Sequence, residues 1–98
     1  MDLTKVNTMI RQIGAWNILA ISGGRKAALN ETTLVLPISN GYKVEVELDE
    51  GRDLYNVRRV FVRAGKRSVK GEMLGVYCDL LGEAAYQASC FRDGKFGD

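Results

Sequence analysis

Apolar and polar residues alternate most strictly between residues 42 and 48. Four apolar side chains fall on one face of an extended chain and three charged ones on the other: Tyr42, Val44, Val46 and Leu48 against Lys43, Glu45 and Glu47. This alternation predicts a strand with one buried and one solvated face. The segments 32–38 and 54–63 alternate less cleanly, and we predict a strand in each. The turn residues 39–41 and the polar loop 49–53 separate these three strands.

A short apolar run, which includes Trp16 and Ile18, fills residues 15–22. Because the run is apolar on both alternations, we predict a fourth strand that is covered on both faces. Gly23-Gly24 ends it, and residues 25–31 stay open between a turn of helix and a wide loop. Pro37 has no backbone N–H to donate, so the strand at 32–38 should lie at a sheet edge or end near that residue.

Apolar residues recur at helical spacing near both ends of the chain. Residues 3–12 predict a short helix, and Gly14 follows where a glycine would stop it. From residue 69 to residue 91 a broad apolar stripe opposes polar residues at i, i+4 spacing, which predicts a long helix.

These elements follow one another as α-β-β-β-β-α, with a basic loop at 64–68 before the last helix and a frayed polar tail at about 92–98. Short connections make consecutive strands antiparallel neighbours. Both helices have an apolar side to bury. Packing them on the same face of the sheet buries these sides and the apolar face of the sheet together. We therefore predict a single domain over residues 1–98: a two-layer α+β fold with a four-stranded antiparallel meander and both helices on one face.

The composition argues against catalysis. The chain has 98 residues, 46% hydrophobic and 27% charged, which is ordinary for one globular domain, and it has no histidine. Histidine is the commonest general base and the commonest metal ligand. The sequence also lacks the glycine-rich nucleotide-binding motifs and the nucleophile elbow of hydrolases. We predict that the protein is not an enzyme and that it uses no cofactor and no metal.

The two cysteines and the apolar runs predict a compartment. Cys78 and Cys90 lie twelve residues apart, about 18 Å along one continuous helix, and a disulfide needs Cα atoms within about 7 Å. We predict two free thiols that serve as small core residues, which fits a reducing compartment. No apolar run approaches the roughly 20 residues that span a bilayer, and the N-terminus does not look like a secretory signal. These features predict a cytoplasmic protein without a membrane partner.

The net charge of +2 is unevenly distributed. Between Arg52 and Lys70 lie seven basic residues and one acid, so this segment carries +6, whereas the rest of the chain carries −4. A concentrated basic segment is typical either of a surface that binds a polyanion or of a solvated strand edge and loop. The residues that we predict to contact nucleic acid are Arg58, Arg59, Arg63, Lys66, Arg67 and Lys70.

Aromatic residues interleave with these cations. Tyr55, Arg59, Phe61 and Arg63 share one face of the predicted strand at 54–63. On an exposed sheet, rings would stack on the bases of a single strand while cations contact its phosphates. The alternative is that Tyr55 and Phe61 belong to the core and that the arginines extend to its margin.

Protein association is the other function that the pattern allows. A sheet of four strands leaves an edge open, and edge pairing is a common route to homodimers. Tyr86 and Phe91 would then lie near the end of the last helix, where they could anchor a contact or pack in the core. A homo-oligomeric module that acts on another protein is therefore the alternative to nucleic-acid binding.

Two stretches, 57–63 (VRRVFVR) and 75–91 (GVYCDLLGEAAYQASCF), resemble a family of short proteins encoded by tailed bacteriophages and prophages. A looser likeness extends to 18–22 and 33–37. The resemblance implies a setting, the cytoplasm of an infected bacterium, and it transfers no catalytic residue to this chain. Small phage proteins of this kind commonly act on nucleic acid or bind a host protein, including defence systems. What the resemblance implies is a phage-like accessory protein with nucleic acid, a host protein or a phage protein as its partner.

Overall fold

A computed structural model describes residues 2–90 and shows an α+β fold. The elements, in chain order, are α1 (Thr4–Ile13), α2 (Ala15–Ser22), β1 (Ala27–Asn30), β2 (Thr33–Pro37), β3 (Tyr42–Asp49), β4 (Leu54–Arg63), β5 (Lys66–Val76), a turn of 3₁₀ helix (Cys78–Leu80) and α3 (Leu81–Cys90). The predicted tail at 92–98 lies outside the described residues.

The five described strands form one antiparallel sheet in the order β1-β2-β3-β4-β5. Short connections between consecutive strands set this order, and two of them are tight turns. Asn40 and Gly41 both have positive φ, 56° and 87°, and the Tyr42 N–H donates to the Ser39 carbonyl across them. Ala64 and Gly65, with φ of 54° and 78°, join β4 to β5 in the same way. Two-residue turns with both φ positive match the twist of antiparallel strands.

The three α-helices found within residues 2–90 pack on one face of the sheet and enclose the core. Alternate residues of the strands supply its floor, including Leu34, Val46 and Val57, which are fully buried. Met9 and Leu81 supply its roof from the helix layer. The layering, the antiparallel meander and the placement of the helices on one side are as the sequence predicts. The opposite face of the sheet is called the open face below.

The strand predicted at 15–22 is wrong, because these residues form α2. Its inner face buries Ile18 and Ile21, and its outer face leaves Trp16 83% exposed and Leu19 54% exposed. A short run that is apolar throughout fits a helix as well as a strand. Gly14, at φ 92°, lets the chain leave α1 and begin α2 at once.

The long helix predicted at 69–91 is wrong in its first half. Residues 66–76 form β5, and the helix begins only at Leu81. The basic loop predicted at 64–68 is also wrong, since the Ala64–Gly65 turn leads directly into that strand. The apolar spacing looked helical because β5 is bulged, and a bulge disturbs the two-residue period of a strand.

The structure also corrects the predicted number of strands and the predicted burial of the two cysteines. The segment 25–31, which the sequence leaves open, contains β1. With the strand at 15–22 lost and both β1 and β5 gained, the described sheet has five strands and not four. Cys78 and Cys90 are free thiols as predicted, but both are exposed, and the prediction that they belong to the core is wrong. Cys78 begins the 3₁₀ turn beyond the sheet, and Cys90 lies at the outer side of the end of α3. No helix within residues 2–90 is long and apolar enough to cross a membrane.

Candidate functional site

Two of the predicted cations, Arg58 and Arg67, lie on the open face and are paired with acids. The Arg67 guanidinium donates to both carboxylate oxygens of Glu45, at 3.0 and 2.6 Å. Arg58 donates to Glu47 at 3.1 Å and to Glu72 at 2.5 Å. β3, β4 and β5 are adjacent in register at this point, which brings the three acids within reach of the two arginines.

The centre of the open face is therefore electrically balanced. Three bases and three acids share it: Lys43, Arg58 and Arg67 with Glu45, Glu47 and Glu72. Burial alone would raise the pKa of Glu47, but hydrogen bonds from Asn56 and Arg58 outweigh it and hold that pKa below its ordinary value. Val60 is fully buried although no described helix packs on this face, so neighbouring side chains cover it. A balanced, internally bonded face has little attraction for a polyanion.

Arg59 points the other way, into the helix layer. It is 8% exposed, and its guanidinium donates to the carbonyls of Ala88 and Ser89 at 2.8 and 2.9 Å. The same group stacks on the Tyr42 ring at 4.5 Å. The last carbonyls of a helix lack partners within the helix and carry partial negative charge, so a cation stabilises that end. Arg59 is placed to hold α3 on the sheet.

The other three cations surround the β4–β5 turn. Arg63 and Lys66 face each other across the turn and are exposed, and among the described residues neither forms an ion pair. The Lys70 ammonium lies 6.0 Å from the centre of the Phe61 ring. Phe61 in turn contacts Tyr42, with ring centres 4.8 Å apart, and both rings are partly exposed. We call Arg63, Lys66 and Lys70 the hairpin cations.

A groove that the sequence pattern did not predict lies between the end of β5 and α3. It has a volume of about 330 Å³ and is open to solvent. We call it the edge groove; its lining is Met73, Leu74, Gly75, Val76, Tyr77, Leu80, Glu83, Ala84 and Gln87. Three of its large apolar side chains stand at least half exposed: Leu74, Tyr77 and Leu80.

A bulge in β5 shapes the edge groove. Val57 pairs with Met73 and Tyr55 with Val76, so Leu74 and Gly75 together oppose the single residue between them on β4. Gly75 has φ 67°, and its N–H donates to the side chain of Asn56 at 3.3 Å. Bulges at sheet edges re-aim side chains. Here the bulge leaves Leu74 58% exposed beside the 3₁₀ turn.

β5 is also an edge strand, because it pairs only with β4 in the described sheet. Every second peptide unit of such a strand points away from its neighbour and is free to pair with another chain. Within residues 2–90, the edge groove therefore combines unpaired backbone with a concave apolar surface. The sequence pattern does not predict this groove, because the apolar spacing of residues 69–76 indicates a helix. The signal for a strand there is the Ala64-Gly65 pair between two apolar–polar runs.

The described residues contain no group of acidic or cysteine side chains that could hold a metal ion. A second, smaller groove of about 190 Å³ lies between α1 and β1.

No protein family, no curated protein and no solved structure matches the chain.

Proposed function

We propose that this protein is a small non-enzymatic interaction module that binds another protein through the edge groove. The observation that carries the proposal is the coincidence, in one place, of an open strand edge and a concave apolar groove. Exposed apolar side chains that cluster are uncommon on monomeric proteins and mark interaction sites. Tyr77 is of a residue type that is enriched among the anchors of interfaces.

The open face supports this role less well. Its arginines are neutralised by Glu45, Glu47 and Glu72, and its central valine is covered. A partner would have to displace these ion pairs before it gained contacts. Trp16 is more exposed than the large apolar side chains of either groove, but it stands on the outer side of α2 and lines neither groove.

The experiment that tests the proposal is photo-crosslinking from single positions in the cell that naturally produces the protein. A photoreactive residue at Leu74 or Leu80 should give discrete adducts. The same residue at Leu29, on the opposite edge strand β1 and also 58% exposed, should give none. Adding Leu80→Glu to the probe at position 74 should remove its adducts. Equal labelling from positions 74 and 29, or no adduct from either groove position, would refute the proposal.

The mass of the adduct also identifies the kind of partner. An adduct of twice the chain mass would make the protein homo-oligomeric through this edge. A different mass would indicate a separate partner; following the resemblance to phage proteins, we propose a host or phage protein in the bacterial cytoplasm.

Nucleic-acid binding is the second candidate, and the hairpin cations favour it. Arg63, Lys66 and Lys70 project beside the partly exposed rings of Tyr42 and Phe61, and cations next to rings suit single-stranded nucleic acid. Of the six predicted residues, we retain these three as the ones free to reach phosphate.

The test is fluorescence anisotropy of labelled single- and double-stranded oligonucleotides at about 50 and 200 mM salt, where phosphate contacts show their salt dependence. The informative variant is Arg63→Ala/Lys66→Ala/Lys70→Ala, because Arg59 and Arg67 have structural partners. Salt-sensitive binding that this variant loses would establish the nucleic-acid function. The absence of binding at low salt would remove it.

A further inference from the structure

We infer that the edge groove takes an extended peptide segment whose apolar side chain enters the groove and whose acidic side chains meet the hairpin cations. This inference rests on the proposed function and names the chemistry of the partner. Its basis is the arrangement of charge and apolar surface along one strand edge.

The geometry of the groove suits an extended segment. Its walls are the end of β5 on one side and α3 on the other, so a chain laid along it would run beside an unpaired strand. Added strands gain main-chain hydrogen bonds from the edge and specificity from pockets that receive alternate side chains. A segment here could pair with β5 between its two bulges, around Glu72, and place the next side chain against Leu74 and Leu80.

The first half of the β5 edge carries cations, and the second half is apolar. Lys66 and Lys70 belong to its first half, with Arg63 across the turn, whereas Met73, Leu74 and Val76 form its second half. Lys70 and Leu74 are four residues apart, about 13 Å along a strand. An extended ligand that matches this edge carries an acid about four residues from its apolar anchor. Because acids meet cations at one end only, charge also fixes the direction in which the segment lies.

A second copy of this chain matches the edge less well. The bulge at Leu74–Gly75 interrupts regular pairing in the apolar half, so two β5 edges would have to pair through their first halves. That arrangement would bring Lys66 and Lys70 of both copies together, and like charges on paired strands are destabilising. The opposite edge, β1, has only four residues.

The experiment selects binders of the full-length protein from a display library of random twelve-residue peptides. Peptides that also bind the Leu74→Glu variant are removed from the library. Enriched peptides are synthesised with a fluorescent label and titrated by anisotropy. We expect an aspartate or glutamate about four residues from a leucine, isoleucine or phenylalanine. We expect at least tenfold weaker binding to Leu74→Glu, and unchanged binding to Leu29→Glu, whose leucine is equally exposed.

Charge is tested separately. Lys66→Glu/Lys70→Glu should weaken these peptides at least tenfold, and replacing the peptide acids by lysine should restore binding to that variant. Lys26→Glu, an exposed lysine outside the edge groove, is the control and should have no effect.

The outcomes separate this inference from the proposed function. Two results would overturn the inference while the groove remained a binding site. One is enriched peptides whose binding requires Leu74 but that carry no acid; the other is peptides whose affinity does not change in Lys66→Glu/Lys70→Glu. Failure to enrich any peptide that Leu74→Glu rejects would overturn it as well. In that case the crosslinking from positions 74 and 80 decides whether the groove binds a folded partner, a second copy or nothing.

Discussion

Arg59 shows how one side chain joins the two layers. Its guanidinium donates hydrogen bonds to the carbonyls of Ala88 and Ser89 in the last turn of α3, and it stacks on the Tyr42 ring of the sheet. Hydrogen bonds to charged groups stabilise a fold by about 1.5–3 kcal/mol. We expect Arg59→Met to lower the free energy of unfolding by about 2 kcal/mol in urea titrations.

Arg63→Met is the matched control, because Arg63 is four residues away on the same strand and exposed. It should change the stability by no more than about 0.5 kcal/mol. Equal effects of the two substitutions would show that Arg59 does not hold α3.

Ala64 has a conformation that its side chain disfavours. Its φ is 54°, in the left-handed region, which costs an L-residue about 1–2 kcal/mol, while asparagine adopts it more readily. Ala64→Asn should therefore raise the free energy of unfolding by about 0.5–1 kcal/mol, measured by urea titration. Gly65→Ala, at φ 78° in the same turn, should lower it. A destabilising Ala64→Asn would contradict the turn geometry.

At the residue scale the sequence shows that a basic segment exists, but it does not show where the side chain of each cation lies. A charge run shows how many cations are present; the strand register decides which of them face acids. Glu45, Glu47 and Glu72 come from strands on both sides of Arg58. The sequence does not predict the position of Glu72, because the apolar spacing of its segment indicates a helix.

At the element scale, α3 and α2 approach each other closely at Gly82. A Cβ added there would lie 2.7 Å from the Ile13 carbonyl and 2.6 Å from the Asn17 amide nitrogen, which itself donates to that carbonyl. In an open helix, replacing glycine by alanine stabilises by up to about 1 kcal/mol. We expect Gly82→Ala to do the opposite and to lower the free energy of unfolding by about 1–3 kcal/mol, as overpacking does.

The sign of that change is the readout in thermal or urea unfolding. Asn7→Ala, at an exposed position of α1, is the control and should be neutral or slightly stabilising. A stabilising Gly82→Ala would mean that the two helices are not in contact there.

The ion pairs of the open face predict a pH dependence. Because the folded protein holds the pKa of Glu47 below its ordinary value of 4.5, its ionised form contributes stability above that pH. This contribution is lost as the pH falls through the lowered pKa. The free energy of unfolding should therefore decrease on acidification below about pH 4.5, and Glu47→Gln should reduce that slope. Glu83→Gln, on the exposed side of α3, should keep it; equal slopes for Glu47→Gln and wild type would contradict the network.

Elements whose apolar residues recur with a clear period were predicted correctly, and elements with a mixed period were not. The strict alternation of residues 42–48 and the Asn40-Gly41 pair gave β3 and its turn, because one face of that strand is buried and the other solvated. The uniform run at 15–22 carries no period from which helix and strand could be distinguished. In β5 the bulges shift the apolar residues out of step, so the pattern resembled a helix.

At the scale of the whole molecule, three surfaces have separate roles. The helix layer closes the core, and the open face is covered by its own ion pairs. The β5 edge is where unpaired backbone, exposed apolar side chains and the hairpin cations meet. The proposed function places binding at that edge, where a partner gains contacts without breaking internal ones.

The most direct test of that claim is the affinity of the partner captured from position 74 for three purified chains: wild type, Leu74→Glu and Leu29→Glu. The two leucines are equally exposed on opposite edge strands, so general effects of the new charge cancel in the comparison. We predict unchanged affinity for Leu29→Glu and at least tenfold weaker binding for Leu74→Glu, about 1.4 kcal/mol. Equal affinities for all three chains would contradict binding through the edge groove.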